Sequence, residues 1–149
     1  MKEFFKRHLI LLMTMMILLL PVMSFAATTN PSSASSGYVV IPIQISGQYT
    51  ATTAAVAKFK SPFPFQVVHI SATARAAGGT SPTLTVDVKQ GSTSLLTAPI
   101  SVTAGTVSDG TLATSPSIPD EANVSVDLTI GGTTPTWNDI TVLIALKRL

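Results

Sequence analysis

A two-residue alternation of apolar and polar side chains is the feature that most constrains this chain. In "TLTVDVK" (83–89) and "NVSVDLTI" (123–130), every second residue is Val, Leu or Ile, and the residues between them are polar or charged. Successive side chains of a β-strand point to opposite faces, so only a strand collects the apolar side chains of such a segment on one side. The alternation therefore predicts strands with one buried face and one solvent-facing face.

Similar runs recur along the chain after residue 37, and Gly, Pro, Ser and Asp stand between them. No segment there repeats its apolar residues with the period of a helix. The pattern predicts an all-β fold of roughly eight strands, arranged as an antiparallel two-sheet β-sandwich of the jelly-roll type. The expected strands are 38–46, 55–60, 63–76, 82–90, 93–102, 105–114, 122–130 and 138–149.

Two local features predict irregularities within these strands. Pro42 lies inside the first run and lacks a backbone N–H, which favours a strand at the edge of a sheet or a β-bulge. The double valine at Val67 and Val68 shifts the alternation by one residue. Such a shift is typical of a β-bulge.

The first 26 residues have the three parts of a secretory signal peptide. A basic start, "MKEFFKRH", precedes the apolar run "LILLMTMMILLLPVM", and Ser24 and Ala26 follow at the positions of a cleavage site. An uncleaved membrane anchor is the alternative, although the run is shorter than the about 20 residues of a spanning helix. We expect a leader helix in 1–26, a flexible Ser/Thr-rich arm in 27–37 and one β-sandwich domain in 38–149. The protein is then secreted or displayed at a surface, or alternatively carried by a virion.

The charge balance excludes several classes of partner. The leader carries three Lys or Arg and one Glu, which accounts for the whole formal net charge of +2, and residues 27–149 balance six basic against six acidic side chains. No basic patch remains to follow phosphates, so we expect no nucleic-acid partner. A neutral surface favours association with further copies of the chain or with a neutral ligand such as a surface glycan. Membrane contact is expected only through an uncleaved leader.

Asp87 and Asp127 each stand between apolar residues, in "TVDVK" and "SVDLT". Both belong to the polar row of their strand, with Thr and Ser as neighbours on the same face. We interpret them as solvated strand residues whose single substitution changes stability by within about 0.5 kcal/mol. A shared acid pair or a calcium site is the alternative.

Catalytic groups are sparse. His69 is the only histidine after the leader, and no Ser-His-Asp order, HExxH motif or glycine-rich phosphate loop accompanies it. Cysteine is absent from the chain, which excludes thiol catalysis and Cys-ligated zinc. The sequence therefore predicts a protein that is not an enzyme and has no catalytic residue, cofactor or metal site.

Four residues are candidate interface or ligand contacts. Trp137 lies in "GGTTPTWNDI", which reads as a turn-rich connection, and its ring would stack on a sugar, anchor an interface or close one end of the core. Leu143 and Ala145 occupy the second face of the last strand, where they are surplus unless another surface covers them. The strand that begins at Tyr38 is the expected cover, either from the same chain or from a neighbouring copy.

The span from Val39 to Lys147 resembles a β-sandwich module of structural and head- or tail-fibre-type proteins of tailed phages. The residues that carry the resemblance are "IPIQISGQ", "FPFQVVHISATARAAGGTSPTLTVDVKQGSTSLLTAPISVTAGT" and "GTLATSPSIPDEANVSVDLTIGGTTPTWNDITVLIALKR". The resemblance implies a sandwich fold and a virion-type structural role, and it transfers no catalytic residue. The leader departs from this pattern, because it indicates export.

Two functions follow as hypotheses. The first is a non-catalytic structural module that self-associates into an oligomer, fibre or filament. The second is a module that binds carbohydrate or a cell surface through loop aromatics such as Trp137.

Overall fold

The computed structural model of the protein describes residues 37–149. The leader, and all of the predicted arm except Gly37, lie outside the described residues. Within 37–149 the fold is all-β, and no helix there has the length and apolar character needed to cross a membrane. Eight strands form it: β1 (Tyr38–Tyr49), β2 (Thr53–Lys60), β3 (Phe65–Gln90), β4 (Thr93–Ser94), β5 (Ile100–Ser101), β6 (Ser108–Asp109), β7 (Ser117–Ile118) and β8 (Asn123–Arg148).

The long strands β3 and β8 form the centre of the sheet. Each has 26 residues, and they pair antiparallel from Phe65 opposite Arg148 to Gln90 opposite Val124. Each strand joins two segments that the sequence predicted as separate strands. The predicted breaks at 77–81 and 131–137 are therefore wrong, because both stretches continue within a strand.

The glycines of those stretches change the register without ending the strands. The β3–β8 register shifts between Gly78 and Thr80 and again between Thr80 and Thr83. Opposite this point Gly132 has a φ of +112°, a backbone conformation that L-residues with a side chain rarely adopt. The shifts divide the β3–β8 ribbon into two halves, one containing 65–78 of β3 and the other containing 83–90.

The remaining strands flank this ribbon on its two edges. β1 pairs with β8 in the first half, and β2 pairs with β8 in the second half. The short strands β4 to β7 all pair with β3, so the eight strands belong to one hydrogen-bonded sheet rather than the two that were predicted. All of these pairs are antiparallel.

Both predicted irregularities are confirmed. Pro42 lies in β1, which pairs along one side only, with β8. The register of β3 shifts between Val67 and His69, where Val68 forms the expected bulge.

One face of the sheet carries the hydrophobic core. Its members come from both halves of the ribbon and form a single cluster with the segment between β4 and β7. That segment is tied to both halves, since Leu95 N–H donates to Val88 O at 2.8 Å and Gly110 N–H donates to Ile70 O at 2.8 Å. The largest fully buried side chains are Ile70, Leu84, Ile118, Leu128, Ile140, Ile144, Leu146, Val86, Val88, Val124, Val126 and Val142. Burial of each such side chain stabilises the fold by about 1.5–3 kcal/mol.

We predict that Gly132→Ala destabilises the protein more than Gly47→Ala does. Both residues have a positive φ, of +112° and +99°, so both substitutions strain the backbone. A Cβ at position 132 would also lie 2.6 Å from Ser81 O, whereas a Cβ at position 47 would meet nothing within 4 Å. We expect losses in the free energy of unfolding of about 2–4 kcal/mol and about 1–2 kcal/mol respectively, measured by urea denaturation. Equal losses would mean that the close approach of the two strands is unimportant.

Candidate functional site

The two aspartates that the alternation singled out lie directly opposite each other on neighbouring strands. Asp87 of β3 is the register partner of Asp127 of β8, on the sheet face away from the core. Their side chains are only 15% and 19% exposed. Two like charges in directly opposed positions destabilise a sheet unless a cation compensates them.

Lys89 supplies that compensation. Its Nζ lies 2.7 Å from Asp127 Oδ2 and 3.7 Å from Asp87 Oδ2. Asp87 also accepts a hydrogen bond of 2.6 Å from the Ser94 hydroxyl. The interpretation of both aspartates as independent solvated residues is therefore wrong, because they share one cation and are largely shielded from water.

Asp127 also fastens the edge strand β2. Its Oδ1 accepts a hydrogen bond of 2.6 Å from the backbone N–H of Ala55. Ala55 has a φ of +49° and lies where the β2–β8 register shifts, between Thr53 and Ala57. At the bulge, the Ala55 N–H does not take part in the hydrogen bonds between β2 and β8, and the Asp127 carboxylate accepts it instead.

Asp139 does the same for the edge strand β1. Its Oδ1 accepts a hydrogen bond of 3.0 Å from Gly47 N–H, at the shift of the β1–β8 register between Ile45 and Gln48. Its Oδ2 lies 2.7 Å from the guanidinium of Arg75 on β3. Both bulged edge strands are therefore held by an aspartate of β8 whose other oxygen binds a cation of β3. The alternation in the sequence singles out neither Asp139 nor Arg75. An acid and a base on opposed strands can be recognised as a pair only when the register of the two strands is known.

These contacts shift the ionisation of the groups involved. The hydrogen bond from Lys89, followed by that from Ala55 N–H, lowers the pKa of Asp127 below its ordinary value of 3.8 despite partial desolvation. The hydrogen bond from Gly47 N–H, followed by that from Arg75, lowers the pKa of Asp139. The hydrogen bond to Asp127 raises the pKa of Lys89 above 10.5. All three groups are charged at neutral pH, so none is poised there to exchange a proton as a general acid or base.

His69 and Asp109 form a further pair of titratable side chains. Nε2 of His69 lies 3.3 Å from Asp109 Oδ1, and both side chains are exposed. Among residues 37–149, no group of three or more His, Cys, Asp or Glu side chains is placed to hold a metal ion. Within the described part of the chain, Asp127 and Asp139 each accept a backbone N–H of an edge strand and pair with a cation of β3.

Trp137 lies inside β8 rather than in a turn-rich connection, which corrects that part of the prediction. It stands in register with Tyr49 of β1 and with Ala77 of β3. The side chain is 2% exposed, and the indole N–H has no hydrogen-bond partner. This burial matches the core alternative, since neither face of the ring is open to a ligand in this conformation.

The other three predicted contact residues come together on the face away from the core. In the β1–β8 ladder Val40 is opposite Ala145 and Pro42 is opposite Leu143, with Tyr38 at the next position on the same face. We call these five residues the outer apolar patch. Its exposed fractions are high for apolar side chains: 58% for Val40, 54% for Tyr38 and 38% for Leu143.

β1 from the same chain covers the edge of β8 but not this face. Within the chain, the strand that begins at Tyr38 therefore does not supply the predicted cover, since the Leu143 side chain opposite Pro42 stays 38% exposed. Removal of β1 would strip the edge of β8, so we expect it to destabilise the fold and not only to alter assembly.

A second feature of the outer face is a cavity of about 570 Å³ beside the β2 bulge. It lies at the other half of the ribbon from the outer apolar patch, and we call it the polar cavity. Its lining residues are Ala54, Ala55, Lys58, Lys89, Gly91, Ser92, Asn123, Val124, Ser125 and Asp127. No aromatic residue is among them, and this volume is in the usual range of small-molecule sites.

We predict that Asp127→Asn lowers stability at pH 7 and flattens the acid side of the stability profile. A carboxylate whose pKa is lowered on folding stabilises the native state at pH values above its ordinary pKa. This stabilisation is lost as the pH falls below 3.8 and passes the lowered pKa of the folded state. The amide keeps an acceptor for Ala55 N–H but loses the ion pair, so we expect a loss of about 1–3 kcal/mol at pH 7.

Urea midpoints measured between pH 2 and 7 test this, with Asp120→Asn as the matched control. Asp120 is exposed and forms no ion pair with any of the residues 37–149. Its variant should follow the original profile, whereas Asp127→Asn should converge with it only in acid. Parallel profiles for Asp127→Asn and the original protein would contradict the ion-pair assignment.

Comparison with protein-family models and with curated proteins gave no match. Among solved structures, the chain is similar to a chain of the T13 infectious bursal disease virus particle, with 12% identity and a TM-score of 0.39 over 76% of this chain. It is also similar to chains in structures of the Gt and Gx strains of that virus, with 12% and 13% identity and TM-scores of 0.35 and 0.34 over 75% of this chain. The chain spans 36–38% of the length of these viral chains.

Proposed function

We propose that the protein is a non-catalytic structural module, surface-displayed or virion-associated, that self-associates through the outer apolar patch. The observation that carries this proposal is the exposure of Tyr38, Val40 and Leu143 side by side on one sheet face. Contiguous apolar side chains on a soluble domain mark a surface that another surface covers.

A second copy of the chain is the partner that the charge balance favours. Residues 27–149 carry as many basic as acidic side chains, so two copies have no net repulsion to overcome. The outer apolar patch has no charged member, and Lys147 stands only at its margin, opposite Tyr38 in the ladder. A neutral patch of this kind pairs with another apolar surface and not with a strongly charged one.

The geometry favours contact between faces over addition of a strand. β1 already occupies the edge of β8 in the first half of the sheet, so the free edge belongs to β1 itself. Pro42 lies near the middle of the apolar part of β1 and has no N–H to offer a new strand. Prolines at such positions discourage edge-to-edge pairing. The proposed contact therefore uses the side chains of the outer face.

We further propose that the two halves of the β3–β8 ribbon are the two layers of a sandwich. Both halves contribute buried side chains to one cluster, and the segment from Leu95 to Gly110 is hydrogen-bonded to each of them. A strand pair that bends at glycines and supplies both layers would retain the predicted sandwich architecture within a single hydrogen-bonded sheet.

The location is proposed from the sequence. The leader favours export to a surface, while the resemblance to tailed-phage modules favours a fibre or virion. Glycan binding through Trp137 is not part of the proposal, because burial of the ring removes the stacking surface on which that hypothesis depended.

We predict that Leu143→Lys dissociates the assembly. Its side chain is apolar, 38% exposed and in register with Pro42 near the centre of the outer apolar patch. A charge there would have to be buried without a partner in the assembled state, at a cost of about 2 kcal/mol or more. Sedimentation velocity over a range of concentrations should show association of the original protein and weakening of roughly thirtyfold in the variant.

Thr129→Lys is the matched control, since it adds the same charge to the same strand at an exposed position in the other half of the ribbon. It should associate like the original protein. An original protein that stays monomeric at high concentration, or equal effects of the two substitutions, would refute the proposed interface.

A further inference from the structure

We propose that the polar cavity binds an acidic saccharide whose anionic group lies between Lys58 and Lys89, above Ser125. This site is separate from the outer apolar patch and from Trp137, and it does not depend on self-association.

A row of register partners across three strands places the two lysines. Lys58 of β2 is opposite Ser125 of β8, and Ser125 is opposite Lys89 of β3. Register partners in an antiparallel sheet point to the same face, and neighbouring strands are about 4.8 Å apart. The two lysines therefore stand on either side of one hydroxyl, about 10 Å apart at their backbones, and all three residues line the polar cavity.

Of the two lysines that line the cavity, one forms an ion pair within residues 37–149 and the other does not. Asp127 is the acidic residue in its lining, and its two oxygens already accept from Lys89 and from Ala55 N–H. Lys58 has no carboxylate within ion-pair distance among residues 37–149, although its charge contributes to lowering the pKa of Asp127. An anion that enters the cavity thus meets a free ammonium group on one wall, whereas the ammonium group on the other wall is shared by Asp127 and Asp87.

The remaining lining favours a hydroxyl-rich ligand over a simple anion. Asn123 provides an amide, and Ser92 and Ser125 provide hydroxyls that both donate and accept. These groups surround a volume of about 570 Å³, much larger than a bare carboxylate or sulfate needs. The apolar members of the lining are two alanines and Val124, whose side chain is fully buried in the core.

Part of the site is held in place before any ligand arrives. The Asp127 carboxylate fixes the bulge at Ala55, which forms one wall, and it holds the Lys89 ammonium at 2.7 Å. Lys89 is 32% exposed and does not extend freely into water. A group fixed in this way loses little conformational entropy on binding.

The test compares three probes by isothermal titration calorimetry on the purified full chain: trigalacturonate, neutral galactotriose and acetate. We expect binding of trigalacturonate, and binding at least about tenfold weaker for the neutral sugar and for acetate. Affinity should fall as salt concentration rises, because screening weakens the contact with an exposed lysine. Equal affinity for galactotriose would refute recognition of the anionic group, and equal affinity for acetate would refute recognition of the saccharide.

Lys58→Ala should weaken trigalacturonate binding about tenfold. Lys60→Ala is the matched control: it removes the same charge two residues away on β2, from a side chain that is already paired with Glu121. Melting temperatures identify any variant that fails to fold, and chemical-shift changes at Ser125 locate the ligand. Equal loss in both variants, or no binding of trigalacturonate to the original protein, overturns the proposal.

Discussion

The pairing of β3 with β8 is the interaction on which the other parts of the structure depend. Among residues 37–149, each of the other six strands pairs with β3 or with β8, and these six strands do not pair with one another. The ladder runs from Phe65 opposite Arg148 to Gln90 opposite Val124, so it determines both halves of the sheet at once. The core positions, the bulges and the outer-face features all follow from its register.

The register also explains why charges lie where they do on a face that is otherwise occupied by Thr and Ser. A pair of opposed aspartates is unfavourable in isolation. It is tolerated here because a lysine of the same ribbon lies between the two carboxylates and because a bulged edge strand needs an acceptor. Asp127 and Asp139 meet that need at two places along β8, each with a cation from β3. The same acidic network leaves Lys58 unpaired beside the polar cavity, which is the basis for a binding site there.

Local alternation predicted the faces of the strands well, and the pairing of strands poorly. Leu84, Val86 and Val88 are buried as the pattern indicated, because burial of alternate residues is a property of a single segment. The contact between Asp87 and Asp127 joins residues 40 positions apart, so neither segment carries a sign of it alone. Glycine was misread for a related reason: Gly132 reads as a breaker in its own segment, but its lack of a side chain allows close approach of the β3 backbone at Ser81. Trp137 was assigned to a connection on the same local grounds, and the continuous ladder instead buries it.

The position of β8 at the end of the described chain has a consequence for how the protein folds. β1, β2 and β3 all hydrogen-bond to β8, and the β1–β8 pairing joins residues about a hundred positions apart, such as Tyr38 and Lys147. Closing such large loops is entropically costly, and folds rich in long-range contacts form slowly. During synthesis from the N-terminus, β1, β2 and β3 are made before β8, the strand with which all three of them pair, exists. The sheet can therefore close only after residue 148 has emerged, and until then the strands that pair with β8 expose unpaired edges to any machinery that acts on unfolded polypeptides.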